Sequence, residues 1–267
     1  MTKYFRSFSL LIAVISIVLA IGDANASSLL DTVKQRGELK VCIWGNYFAI
    51  SFRDQRTGAL SGVDIDMSQA LADDLGVKRT LVDSSFADFM DNLEQGACDI
   101  AMFGVGMTEA RAKRVAFSNP YLASGIYGVT TKTHRRIKTW NDIDQPGVVV
   151  AVQKGTFMEP VMASSLHNAE LLVVAPPMVR ETELEAGRAD VFMADFPYTR
   201  RMLYQFDWAA VIEPAEPLAV TRYAYAVKQG DQAWLDRVNQ FVAAVKADGR
   251  LRAAAGRYDL TRIVIAE

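Results

Sequence analysis

Residues 99–121, DIAMFGVGMTEARAKRVAFSNPY, constrain the fold of this chain more than any other stretch. The apolar run 100–105 lies between an acidic turn and a glycine-bearing turn, the pattern of a strand buried in an α/β sheet. Thr108 stands as the N-cap, and Glu109 in the first turn, of a short basic helix that carries Arg111. A strand that ends in glycine and feeds a helix N-terminus builds an anion site. The glycines admit a ligand to the backbone, unpaired N–H groups point outward, and the dipole favours negative charge. A guanidinium placed there grips a carboxylate through two parallel hydrogen bonds. The competing reading leaves Arg111 as a solvated helix charge.

Residues 1–26 read as a targeting segment. Lys3 and Arg6 form its positive end, the apolar run 10–21 is short for a bilayer span, and Ala24-Asn25-Ala26 is an A-x-A cleavage site. The alternative is an uncleaved anchor helix. No Cys follows the cleavage site, so no lipid anchor is expected, and the chain from Ser27 onward is expected to be soluble and exported to the periplasm. Residues 27–267 suffice for two lobes with separate cores. A net charge of −2 and the lack of any Lys/Arg tract argue against a nucleic-acid partner. His134 and His167 are the only histidines and stand far apart, so neither a metal site nor a catalytic triad is expected. No nucleotide-binding or thiol-redox motif occurs, and no cofactor is expected.

Further along the chain the same local device recurs. Residues 148–152 read as a buried strand, Gln153-Lys154-Gly155-Thr156 follows, and a helix is expected over 157–165. Thr156 is placed to give a hydroxyl and a backbone N–H to an anion. Asp195 ends another buried strand, 191–194, where an unpaired acid is costly. It either meets a ligand cation or caps the helix expected over 198–204. Trp44 ends the first strand, 38–44, and Tyr47 lies in the loop after it, 45–50; each stands either as a cleft wall or as packing on the lobe surface. Asp64 and Asp66 read as a structural acid and a helix N-cap rather than a catalytic pair.

Asp99-Ile100, Gly104, Gly106, Thr108, Arg111, Phe117-Ser118 and Pro120-Tyr121 together resemble the signature of the family-3 extracellular solute-binding proteins. These proteins deliver polar amino acids to ABC importers. The resemblance covers nearly all of residues 27–267. It implies an α/β, two-lobe periplasmic-binding-protein-like fold of type II, with lobes joined by a two-crossing hinge. Lobe 1 would comprise residues 27–124 plus 224–267, and lobe 2 residues 125–223. Arg111 and Thr156 would take the ligand carboxylate and Asp195 its α-ammonium. Main-chain groups around Phe103 and Gly104 would add contacts, and Trp44, Tyr47 and Phe86 would wall the cleft. Gly106 departs from the family, which usually has Thr or Ser there, and Trp44 departs as well. Fewer polar anchors and more aromatic surface point to a ligand with an apolar, aromatic or otherwise unusual side chain. The implied partner is the membrane permease of an ABC transporter, with this chain a monomer, or else a membrane sensor. The chain also resembles the cyclohexadienyl dehydratases, enzymes on the same fold. That alternative gives Glu159 the part of general acid, against its reading as a first-turn acid that complements a helix dipole.

Export makes a disulfide the first expectation for Cys42 and Cys98, the only cysteines. In the implied fold, however, their strands run parallel with carboxyl ends level at Trp44 and Gly104. Cys98 would then lie about four residues, or roughly 13 Å, out of level with Cys42. The expectation is therefore two free thiols.

Overall fold

The computed structural model describes residues 28–175 and 178–266; the targeting segment expected over 1–26 lies outside them. Ser28 caps helix α1 (Leu29–Arg36) by accepting from the Asp31 N–H, and Gly37 ends it in the left-handed region. Strand β1 (Glu38–Ile43) follows. A small antiparallel sheet of β2 (Asn46–Tyr47), β3 (Ser51–Arg53) and β4 (Leu60–Ser61) then leads to α2 (Val63–Leu75). Gly62 starts that helix at φ 129°, and a Cβ there would lie 2.3 Å from the Ile50 carbonyl oxygen, so only glycine fits. The helix begins a turn earlier than expected, which puts Asp64 and Asp66 in its first turn.

Next come β5 (Lys78–Asp83), α3 (Phe89–Glu94), β6 (Ile100–Ala101), α4 (Glu109–Ala112) and β7 (Val115–Phe117). The chain crosses to the second lobe on β8 (Leu122–Ser124) and continues through β9 (Tyr127–Thr131), β10 (Val149–Gln153), α5 (Met158–Ser165) and β11 (Glu170–Val174). The helix α6 (Arg180–Glu185), β12 (Val191–Ala194), α7 (Phe196–Gln205) and β13 (Ala209–Ile212) complete that lobe. The return crossing is β14 (Thr221–Tyr223), followed by β15 (Ala226–Lys228), α8 (Gln232–Ala247) and α9 (Arg250–Arg257) on the first lobe. Trp234 of α8 is fully buried, and its indole N–H donates to the Asp99 carbonyl at 3.0 Å.

The lobes share one plan. The first sheet runs β5-β1-β6-β15-β7 and the second β11-β10-β12-β9-β13. In each, a central strand pairs in parallel with two neighbours, β5 and β6 around β1, β11 and β12 around β10. In each, the fourth place goes to an antiparallel strand that has just arrived from the other lobe, β15 or β9. The two crossings are themselves paired: Ser124 faces Thr221, and Leu122 faces Tyr223. The run 100–105 is a strand only at Ile100–Ala101. Beyond it the chain leaves the sheet and turns at Gly104, φ 64°.

Cys42 and Cys98 form a disulfide, with Cα atoms 5.6 Å apart, contrary to the expectation of free thiols. That expectation misjudged the register by one residue, since Cys42 faces Ala101. More important, it extended the chain straight back from Ala101. Asp99 instead folds against β1: its N–H donates to the Lys40 carbonyl at 2.8 Å, and its carboxylate accepts from the Lys40 N–H at 2.7 Å. The bend returns Cys98 to Cys42 within an apolar cluster that includes Phe89, Leu93 and Phe103.

The bridge closes a 56-residue separation, which the chain-entropy model values at about 4 kcal/mol. A variant with Cys42→Ala and Cys98→Ala is expected to lose roughly that much stability in urea unfolding. Unfolded wild-type protein is expected to react with a thiol reagent only after reduction.

Candidate functional site

Segments that follow β1, β5, β6, β10, β11 and β12 meet between the lobes, the place where open parallel sheets collect ligands. They enclose a cavity of about 20 Å³, room for about one water. Trp44, Tyr47, Phe86 and Gly104 line it from the first lobe. Thr156, Phe157, Met158, Arg180, Asp195 and Tyr198 line it from the second. Trp44, Tyr47 and Phe86 touch one another as a tilted aromatic trio, with ring centroids 5.2 to 5.8 Å apart.

Asp195 is the acid of this cavity. It is buried, and it caps α7 by accepting from the Tyr198 N–H at 3.1 Å. Its other oxygen accepts from the Tyr223 hydroxyl at 2.7 Å and from the Tyr47 hydroxyl, which reaches across from the first lobe. Burial pushes its pKa up, while the two phenols and the backbone N–H pull the other way. The helix-cap role is thus realised, and the same carboxylate faces the cavity.

Arg111 stands behind the cavity wall, 5 % exposed. Thr108 caps α4 as expected, its hydroxyl accepting from the Arg111 N–H at 3.3 Å. The guanidinium donates to the Gly106 carbonyl at 2.9 Å and, across the cleft, to the Gly155 carbonyl at 2.8 Å. Its outer face is covered by the rings of Phe86 and Phe89, at 5.4 and 5.5 Å. Burial lowers its pKa to about 10, so it remains a cation at neutral pH. Arg111 is not a solvated helix charge.

Thr156 lines the cavity but spends its donors inward. Its hydroxyl and its N–H both go to the Gln153 carbonyl, at 2.8 and 3.2 Å. Gly106 lies beside Arg111 and not in the lining. A Cβ there would fall 2.9 Å from the Thr221 methyl on the return crossing, which is the physical reason for glycine in place of Thr or Ser. Phe103 is fully buried behind Phe86. Glu159 lies outside the cavity, where its carboxylate accepts from the Gly155 N–H at 2.7 Å at the start of α5.

The Gly104 turn is held from below by Asp64. This fully buried carboxylate accepts from the Gly104 N–H at 2.7 Å and the Tyr121 hydroxyl at 2.5 Å. A Cβ on Gly104 would meet the Tyr47 ring at 2.8 Å. Asp64 therefore sets the cavity floor without touching the cavity.

Sequence reasoning missed Arg180, Tyr198 and Tyr223. Arg180 opens the charged run RETELE, whose local pattern does not show that its first residues are buried. Tyr223 sits in a crossing strand whose pairing only the folded chain reveals.

The profile of the bacterial extracellular solute-binding proteins, family 3, matches residues 39–260. The cyclohexadienyl dehydratase of Pseudomonas aeruginosa is 29% identical over 253 residues, covering 94% of each chain. The L-cystine-binding protein TcyJ of Escherichia coli is 28% identical over 260 residues, covering 93% of this chain and 94% of its own. Among solved structures, the ancestral amino acid-binding protein AncCDT-1, described as a precursor of cyclohexadienyl dehydratase, superposes with a TM-score of 0.79. It is 31% identical, over 86% of this chain and 99% of that one.

Burial raises the Asp64 pKa from 3.8 to about 7, partly offset by the bonds from Tyr121 and Gly104. The folded chain holds this proton up to about pH 7 and the unfolded chain releases it near pH 4. Folding therefore takes up a proton between those values, and stability falls as pH rises through the window. The contribution amounts to about 4 kcal/mol at most. Asp64→Asn is expected to flatten the fall, as read by urea unfolding at pH 4.5, 6 and 7.5.

Proposed function

The chain belongs to the family-3 bacterial extracellular solute-binding proteins, and from that premise we propose that it captures a free amino acid, or a close zwitterionic analogue, for an ABC importer. The observation that carries this reading is the junction of Asp195 with Tyr47 from the opposite lobe, beside the buried cation Arg111. An acid and a guanidinium in one water-poor cleft match the two ends of a zwitterion. Asp195 takes the ammonium. Arg111, released from the Gly155 carbonyl, takes the carboxylate, and Thr156 turns its hydroxyl from Gln153 to join it. Backbone at Gly104 supplies a further donor or acceptor, while Trp44, Tyr47 and Phe86 hold the side chain.

The cavity admits about one water, so an amino acid enters only when the lobes part. Residues 27–124 with 224–267 move against residues 125–223 about the paired crossings, and closing excludes water from the charge pairs. The working place is the periplasm, reached by way of residues 1–26, and the partner is the importer's permease, met by a monomer. A second reading, dehydration of prephenate or arogenate, draws on the dehydratase relative. Against it stands Glu159, whose carboxylate is engaged by the Gly155 N–H outside the cavity.

The test is calorimetry with a panel of amino acids, on protein unfolded and refolded to remove carried-over ligand. At least one is expected to bind with a dissociation constant in the micromolar range, about 8 kcal/mol. Arg111→Ala is expected to weaken that binding by about 100-fold or more, because a bidentate charged contact is lost. A silent panel, or aromatic product from prephenate or arogenate, would overturn the proposal.

A further inference from the structure

Beside Thr156 and Asp195 the cavity wall holds a second cation, in addition to Arg111 behind it. Arg180 is 3 % exposed and lines the cavity. One guanidinium nitrogen donates to the Met193 carbonyl and lies 3.9 Å from the Met158 sulfur. The group sits 4.4 Å from the centroid of the Tyr198 ring and 5.3 Å from that of Phe192. Its Nε is buried without a partner. Among the described residues, no carboxylate lies within 4 Å of Arg180 or of Arg111.

The neighbouring acid does not serve it. Glu181 accepts from the Tyr198 hydroxyl at 2.5 Å and pairs with Arg201 at 3.5 Å. Its second oxygen is unpartnered, but Glu181 is not part of the lining. The site thus holds Arg111 and Arg180 against Asp195 alone, an excess of positive charge in a dry place. Buried charge is costly until it is paired. A zwitterion bound to Arg111 and Asp195 is neutral and leaves the excess as it was. One more negative group on the ligand removes it.

We propose that the ligand carries a second carboxylate on its side chain and that Arg180 binds it, so that the cleft selects acidic, dicarboxylic amino acids; this rests on the amino-acid-binding reading above. The carboxylate accepts from the free Nε and the adjacent guanidinium N–H in the bidentate geometry that guanidinium favours. An amide of the same shape supplies one acceptor and no charge. A basic side chain sets like charge against Arg180.

Calorimetry decides this with aspartate, glutamate and 2-aminoadipate, their amides asparagine and glutamine, and arginine and lysine, against wild type, Arg180→Lys and Arg180→Gln. In the wild type an acidic member is expected to bind about 100-fold more tightly than its amide. Arg180→Lys is expected to keep part of that preference. Arg180→Gln is expected to reduce it to about threefold or less. The inference is overturned if wild type binds an amide or a basic amino acid as tightly as the acidic ones, or if Arg180→Gln keeps the preference. Binding of some amino acid in either case leaves the broader reading standing, whereas heat with none sinks both. The wild-type preference is readable even if a variant does not fold.

Discussion

A single carboxylate ties the two lobes to the strand that joins them. Asp195 accepts from Tyr47 on the first lobe, from Tyr223 on the return crossing, and from the first turn of its own helix. Burial alone would drive this acid toward its neutral form, and the donors hold it back. The bond that draws the lobes together is therefore made to the same atoms that, under the proposed function, a ligand ammonium would need. A cation arriving there would not find a bare charge; it would share one already solvated by two phenols. That arrangement limits the cost of a buried acid in the cleft.

The guanidinium on the facing side follows similar logic. Arg111 donates to backbone carbonyls of both lobes and is roofed by Phe86 and Phe89. Carbonyl dipoles satisfy its hydrogen bonds without neutralising it, which leaves it able to attract an anion. The glycines around it follow from close approach. Gly106 is needed because Thr221 of the crossing strand lies against it, and Gly104 because Tyr47 does.

Much of this was legible in residues 99–121, 153–156 and 191–195, because a buried strand that ends in glycine, threonine or aspartate before a helix leaves a local imprint. Thr108 as a cap and Asp195 at a strand end are properties of neighbouring residues, and local patterning conveys them. What was hidden depends on contacts between distant segments. Cys98 reaches Cys42 only because Asp99 folds onto Lys40, a bend that strand counting does not register. Arg180 leaves no such local imprint, since the burial of the first residues of α6 comes from tertiary packing. Asp64 was legible as a structural acid, but its grip on the Gly104 turn was not.

The crossings β8 and β14 are hydrogen-bonded to each other from Ser124 and Thr221 to Leu122 and Tyr223. They form one ribbon instead of two independent tethers. Such a ribbon resists splaying, because that would break its ladder, and it yields to torsion, because strand twist varies at little energetic cost. Any movement of one lobe against the other would thereby be reduced to something close to a single rotational coordinate. Tyr223 belongs to that ribbon with its hydroxyl on Asp195, so whatever engaged the acid would act directly on the torsion bar.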